Sequence, residues 1–132
     1  MGMGVQLVED NSLRVINDGY QINVRLNWYR SLPLSCVQNI KLVVDGEEVP
    51  SSDMRFAVNG NQYTIDEIAE KVEEFWFVQD AAQLQVLQLS KVHAGESHEI
   101  EAEIALRFPY IAIGPGKFLV NNTKYAAEQV AA

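Results

Sequence analysis

Residues 58–79 read VNGNQYTIDEIAEKVEEFWFVQ, and the fold class follows from how this stretch is read. Asn59-Gly60-Asn61 tolerate positive φ and favour a tight reversal of the backbone. Thr64-Ile65-Asp66-Glu67 spells a capping box: the Thr64 hydroxyl accepts from a free N–H of the first turn, and Glu67 reaches back to the N-cap amide. Ile65, Ile68, Ala69 and Val72 fall at i, i+3, i+4 and i+7 and share one helix face. Asp66, Glu67, Glu70, Lys71, Glu73 and Glu74 cover the remainder. At Phe75-Trp76-Phe77-Val78 the helical pattern gives way to an apolar run of strand or anchor type. Outside this stretch the apolar residues alternate with period two, so the segment is one short helix set into a β framework.

On the N-terminal side, Val5–Glu9 and Leu13–Asn17 are short strand candidates separated by the turn-forming Asp10-Asn11-Ser12. Asn17-Asp18-Gly19 is a stronger turn signal, with Asp-Gly suited to a type I′ hairpin. Tyr20, Ile22, Val24, Leu26 and Trp28 then alternate with Gln21, Asn23, Arg25 and Asn27, which predicts one buried and one polar face. Ser31–Ser35, carrying Pro33, reads as a connection between sheets. Ile40–Val44 is the next strand, Asp45-Gly46 turns it into Glu47-Glu48-Val49, and Pro50 ends that arm. Met54–Val58 leads into the opening stretch.

On the C-terminal side, Asp80-Ala81-Ala82 makes a short connection and Leu84–Leu89 a strand, with its alternation broken at Val86-Leu87. His93–Glu96 turns the chain. Ile100, Ala102, Ile104, Leu106 and Phe108 alternate with Glu99, Glu101, Glu103 and Arg107, until Pro109-Tyr110 closes the strand. Beyond it, residues 111–132 hold a Gly114-Pro115-Gly116 loop, an apolar Phe118-Leu119-Val120 run and an alanine-rich end. They read as a docking arm or tail. With no repeat or linker, the expectation is a mainly β protein: an antiparallel β-sandwich or jelly-roll-like single domain over residues 1–132, with one short helix.

The chain has 132 residues, 48% of them apolar, enough for a substantial core. Eighteen acidic against ten basic residues give a net charge of −8, which argues against nucleic acid and anionic membrane as partners, since both demand a basic face. That charge keeps a protein soluble; it also suits docking to a basic partner surface. No segment is apolar enough to span a bilayer, and the start Met1-Gly2-Met3-Gly4 has no secretory pattern. With Cys36 the lone cysteine, the expected location is the cytoplasm.

The inventory for chemistry is thin. A lone cysteine without a surrounding motif is more often a small core hydrophobe than a nucleophile. His93 and His98 with Glu96 between them match no usual ligand spacing, and read better as a turn histidine and a strand histidine. Glu99, Glu101 and Glu103 line one face of one strand; they could meet a hard cation, but such a ladder is usually a solvated face that also discourages edge pairing. Gly114-Pro115-Gly116 lacks the spacing and lysine of a phosphate loop. No catalytic, cofactor or metal residue is therefore assigned. The aromatic residues pose a sharper question. Phe75, Trp76 and Phe77 are consecutive, as are Trp28 and Tyr29, so a neighbour of any buried ring points elsewhere. Surplus rings either form a second small core or mark an interface or apolar groove.

Three segments together, Leu42–Pro50 (LVVDGEEVP), Val58–Gln79 and His98–Ile111 (HEIEAEIALRFPYI), resemble the β subunit of bacterial C-glycoside deglycosidases, two-subunit enzymes acting on plant C-glucosides such as puerarin. The resemblance runs in the same order over most of the chain. It implies a carbon–carbon lyase in which this chain is the non-catalytic subunit. The partner is a TIM-barrel α subunit that carries a divalent metal, manganese, and a histidine base. A 3-oxo-C-glucoside is the implied substrate: its ketone acidifies the neighbouring C2–H, loss of that proton allows the aglycone carbon to leave, and the metal stabilises the developing enolate. On that reading Phe75, Trp76, Phe77, Tyr110 and Phe118 are the expected subunit-interface residues, and Trp76→Ala is expected to leave the isolated chain folded. The alternative is a stand-alone carbohydrate- or small-ligand-binding β-sandwich module stacking exposed rings on sugars; a weaker one is an autonomous enzyme whose site assembles only in three dimensions.

Overall fold

The structure, a computed structural model, describes residues 7–26, 31–77, 80–115 and 117–132, with the backbone alone for 108–114, 117–119 and 121. In chain order the strands are β1 (Arg14–Ile16), β2 (Gly19–Arg25), β3 (Leu32–Pro33), β4 (Val37–Val44), β5 (Glu47–Glu48), β6 (Met54–Val58) and β7 (Asn61–Thr64). The single α-helix among the described residues, α1 (Ile65–Ile68), comes next, then β8 (Phe75–Trp76), β9 (Ala81–Val86), β10 (Ser97–Gly114) and β11 (Lys117–Val130). Every pairing is antiparallel. One sheet runs β1-β2-β9-β6-β7, the other β11-β10-β4-β5, and β3 and β8 form a separate two-stranded ribbon.

Period-two patterning explains why these strands form two layers. On β2 the buried side chains are Tyr20, Ile22 and Val24, on β9 Ala82, Leu84 and Val86, on β10 Ile100, Ala102, Ile104 and Leu106. These inward rows from both sheets join Phe56, Ile40, Leu42 and Trp76 in one apolar cluster, so the protein is a mainly β sandwich with one small helix. At roughly 25 cal/mol per Å² of apolar surface, this shared core is the dominant stabilising element.

Two of the turns follow their residues closely. Asp45 and Gly46 have φ of 52° and 82°, and Asn59 and Gly60 have 55° and 79°. These two-residue loops join Val44 to Glu47 and Val58 to Asn61, the type I′ geometry that matches strand twist. The Asn17-Asp18-Gly19 turn differs. Its loop residues are Asn17 and Asp18, neither with positive φ, and Gly19 opens β2 opposite Ile16. The glycine serves close approach instead: a Cβ there would lie 1.9 Å from the carbonyl oxygen of Val86 on the neighbouring β9.

Three expectations are corrected. The helix is one turn long, with Ile68 buried but Val72 66% exposed. The backbone after Ile68 is recruited by tertiary bonds: Ser35 N–H donates to the Lys71 carbonyl and Leu34 N–H to that of Glu74. A helix this short has no cooperative advantage over them. Secondly, Pro109 does not close its strand; β10 continues to Gly114 through a register shift between Phe108 and Ala112. Thirdly, the segment 111–132, expected as a docking arm or tail, is ordered for most of its length on the chain's own sheet. From Lys117 onward it is β11, laddered to β10 from Lys117 opposite Gly114 to Val130 opposite Ser97. A strong partner strand overrides its weak local preference. Its end is pinned by Ala132 N–H donating to Leu13 O and Val15 N–H to Ala132 O, which closes one edge of the sandwich. The expected strand at Val5–Glu9 is described only from Leu7; there Val8 makes an isolated bridge to Val24. Trp28, Tyr29 and Val78 lie outside the described residues.

Candidate functional site: an aromatic corner

The type I′ turn at Asn59-Gly60 brings β7 back along β6, and the capping box then redirects the chain. Thr64 Oγ1 accepts from Glu67 N–H at 3.2 Å, and Glu67 Oε1 accepts from Thr64 N–H at 2.8 Å. The Thr64 amide holds the Glu67 carboxyl below the usual carboxylate range. After this single turn Glu74 becomes the anchor. Tyr63 donates its hydroxyl to one Glu74 oxygen, and the amides of Asn59 and Asn61 donate to the other at 3.3 and 3.4 Å. The Tyr63 bond, followed by those amides, keeps the Glu74 carboxyl below its ordinary range, and the same bond pushes the Tyr63 hydroxyl up. Asn59 also donates to the Phe75 carbonyl at 2.8 Å. Lys71 Nζ lies 4.9 Å from the centre of the Tyr63 ring, a cation–π contact. The start of the aromatic run is thus fixed by three polar side chains of the turn and β7 converging on Glu74.

Strand alternation divides the three consecutive rings. Trp76 points inward, 1% exposed, edge-on to Phe56 with centroids 5.3 Å apart and planes at 77°, and its indole N–H donates to the Asp80 carbonyl at 3.1 Å. Phe75 and Phe77 point the other way, 39% and 42% exposed, with centroids 6.4 Å apart and planes at 26°. Trp76 therefore belongs to the core, and its assignment to an interface is corrected. Phe75 and Phe77 present a stacked apolar pair at the surface. The side chains of Tyr110 and Phe118 lie outside the described set; their backbones sit on β10 and β11.

The candidates for chemistry are dispersed. Cys36 is buried, and burial pushes its thiol above the usual range, with Arg107 beside it opposing part of that rise. His93 is exposed in its turn. His98 faces inward on β10, with Nδ1 2.6 Å from Asp45 Oδ2 and Nε2 3.8 Å from Glu96 Oε1. Asp45 Oδ1 also accepts from Glu99 N–H at 2.9 Å. This ties the type I′ turn to β10, a structural use of both residues. Glu101 and Glu103 border a shallow concavity of about 180 Å³ that Lys41 and Lys124 also line, so their charges are interleaved with cations. A tighter hollow beside Tyr20, Asp45, Glu47 and Lys91 holds about 80 Å³, well under the roughly 300–1,000 Å³ of small-molecule sites. Among the described residues no three His, Cys, Asp or Glu side chains come together to hold a metal ion. Among the described residues, Phe75 and Phe77 are the neighbouring exposed aromatic rings.

A model of the family described as "C-glycoside deglycosidase beta subunit" matches residues 4–110. The chain belongs to that family. A C-glycoside deglycosidase beta subunit of Microbacterium trichothecenolyticum is 34% identical over 122 residues, covering 90% of this chain and 92% of the relative. One from Arthrobacter globiformis is 35% identical over 117 residues, covering 88% of each. A third relative, from a Microbacterium species, bears the name 3'-dehydrocarminate deglycosidase beta subunit and is 32% identical over 108 residues, 82% of this chain and 80% of the relative. The family match thus takes in the aromatic corner and β10 as far as Tyr110. As a beta subunit the chain is one part of an enzyme complex. Of the features that organise the corner, the Asn59, Asn61, Tyr63 and Glu74 set was present in the quoted stretch but hidden there by its apparent helical period.

Proposed function

We propose that this chain is the small, non-catalytic subunit of a heteromeric C-glycoside deglycosidase, docking through Phe75 and Phe77 onto a larger TIM-barrel subunit. The observation that carries the reading is the family match together with relatives at 32–35% identity over more than four-fifths of the chain. The substrate in this reading is a 3-oxo-C-glucoside, such as 3-oxo-puerarin. Its ketone acidifies the C2 proton; a base removes it, the bond from C1 to the aglycone carbon breaks, the sugar keeps a C1–C2 double bond and the aglycone carbon takes up a proton. A divalent metal, manganese in this reading, belongs to the larger subunit. The complex belongs in the cytoplasm.

The exposed pair Phe75 and Phe77 also supports a second reading, a self-sufficient module that stacks the two rings on sugar. Mass measurement by light scattering separates the two. A defined hetero-complex after co-expression with the larger subunit is expected, and a monomer indifferent to that subunit yet binding glucosides by itself would favour the module.

A further inference from the structure

The hairpin of β10 and β11 outruns the sheet it belongs to. β4 accompanies β10 only as far as Val37 opposite Leu106, whereas β10 and β11 remain paired from Arg107 opposite Val120 out to Gly114 opposite Lys117, with register shifts around Ala112. Among the described strands, this distal ribbon has no third neighbour. Two strands alone are marginal in water, and long unaccompanied edges are ordinarily protected by charged residues. The sequence supplies little such protection. Residues 104–120 read IALRFPYIAIGPGKFLV, with Arg107 and Lys117 as the charges. No Asp or Glu occurs from Ile104 to Ala127, in a chain whose net charge is −8. The ribbon is thus an apolar, locally basic element on an acidic protein.

Its base adjoins the aromatic corner. Pro33 pairs with Phe75, and four residues later Val37 pairs with Leu106; the turn between them, Leu34–Cys36, carries Cys36 beside Arg107. Four residues span at most roughly 14 Å, so Phe75 and the start of the ribbon lie near one another. We propose that the distal ribbon, residues 107–120, is a docking arm that lies along an apolar groove with an acidic rim on the larger deglycosidase subunit, extending the contact begun at Phe75 and Phe77. This rests on the subunit reading above. The ribbon's sequence is apolar where the rest of the chain is acidic, and its positive charge complements an acidic rim.

The test uses two variants against the larger subunit from the same organism, with affinity measured by titration calorimetry at low and moderate salt. In the first, residues 108–119 are replaced by Asn-Gly, which closes Arg107 on Val120 through a two-residue loop. In the second, Lys117→Glu reverses the charge near the tip. The shortened chain is expected to keep a native circular dichroism spectrum and lose at least about 100-fold in affinity. Lys117→Glu is expected to lose about 10-fold, with the loss shrinking as salt rises. Wild-type affinity in the shortened chain overturns this inference alone and leaves the subunit reading standing. If the shortened chain fails to fold, Lys117→Glu decides: unchanged affinity and salt dependence overturn the proposal. A wild-type chain that never binds the larger subunit brings down both. Loss of a homodimer, rather than of the hetero-complex, identifies a second copy as the occupant and overturns it too.

Discussion

The buried amide of Gln129 serves four groups at once. Its Oε1 accepts from the N–H groups of Ser12 and Leu13 at 3.0 and 2.9 Å, and its Nε2 donates to the Glu9 carbonyl at 2.9 Å and the Tyr125 hydroxyl at 3.0 Å. One side chain thereby ties β11 to the segment before β1. Gln129→Leu keeps the volume but strands two backbone donors, so unfolding in urea should show a loss of about 1–3 kcal/mol. Asp45 offers a test by pH. The bond to His98, and then that from Glu99 N–H, hold its carboxyl below the ordinary aspartate range. The folded chain therefore binds that proton more weakly than the unfolded chain. The resulting stability is complete above the unfolded pKa of about 3.9 and is lost as pH falls through the lower folded value. Asp45→Asn tolerates the positive φ of this turn, so it isolates the charge. It should cost up to about 1 kcal/mol at pH 7, small because the carboxylate is 45% exposed. The gap between variant and wild type should close as the medium is acidified through the aspartate range; a gap that widens in acid contradicts the assignment.

At the scale of elements, β8 separates what is structural from what is presented. Trp76→Ala removes a fully buried ring and should cost the isolated chain about 3–5 kcal/mol in denaturant unfolding, reversing the expectation drawn from sequence. Phe75→Ser with Phe77→Ser removes half-exposed rings. It should leave unfolding within about 1 kcal/mol of wild type while reducing co-purification with the larger subunit. Sequence could state that three consecutive rings cannot share one face, but not which face is buried: that depends on β3 arriving opposite β8 from a distant part of the chain. The helix length was equally out of reach, because the periodic run Ile65–Val72 is ended by bonds to Leu34 and Ser35. Where local chemistry is decisive, as at Thr64 and Glu67, Asp45-Gly46 or Asn59-Gly60, the residues alone foretold the geometry. The strand register of β11 was hidden because alanine and valine near its end carry no strong period.

For the whole molecule, two sheets enclose one core, and among the described residues no three His, Cys, Asp or Glu side chains come together to hold a metal ion. The mainly β class was readable from the long alternations of β2 and β10, whose periods need no tertiary information. Membership of the beta subunit family was readable from the specific block around Thr64–Phe77. The order of strands was not, since β9 inserts between β2 and β6 and β10 between β4 and β11 through pairings across many residues. In the proposed reading the chain acts by association with its larger companion. The direct measurement is cleavage of 3-oxo-puerarin by this chain alone, by the larger subunit alone and by the two mixed, with aglycone release followed by chromatography. No release is expected from this chain by itself and full activity from the mixture; release by this chain without its companion would overturn the subunit reading.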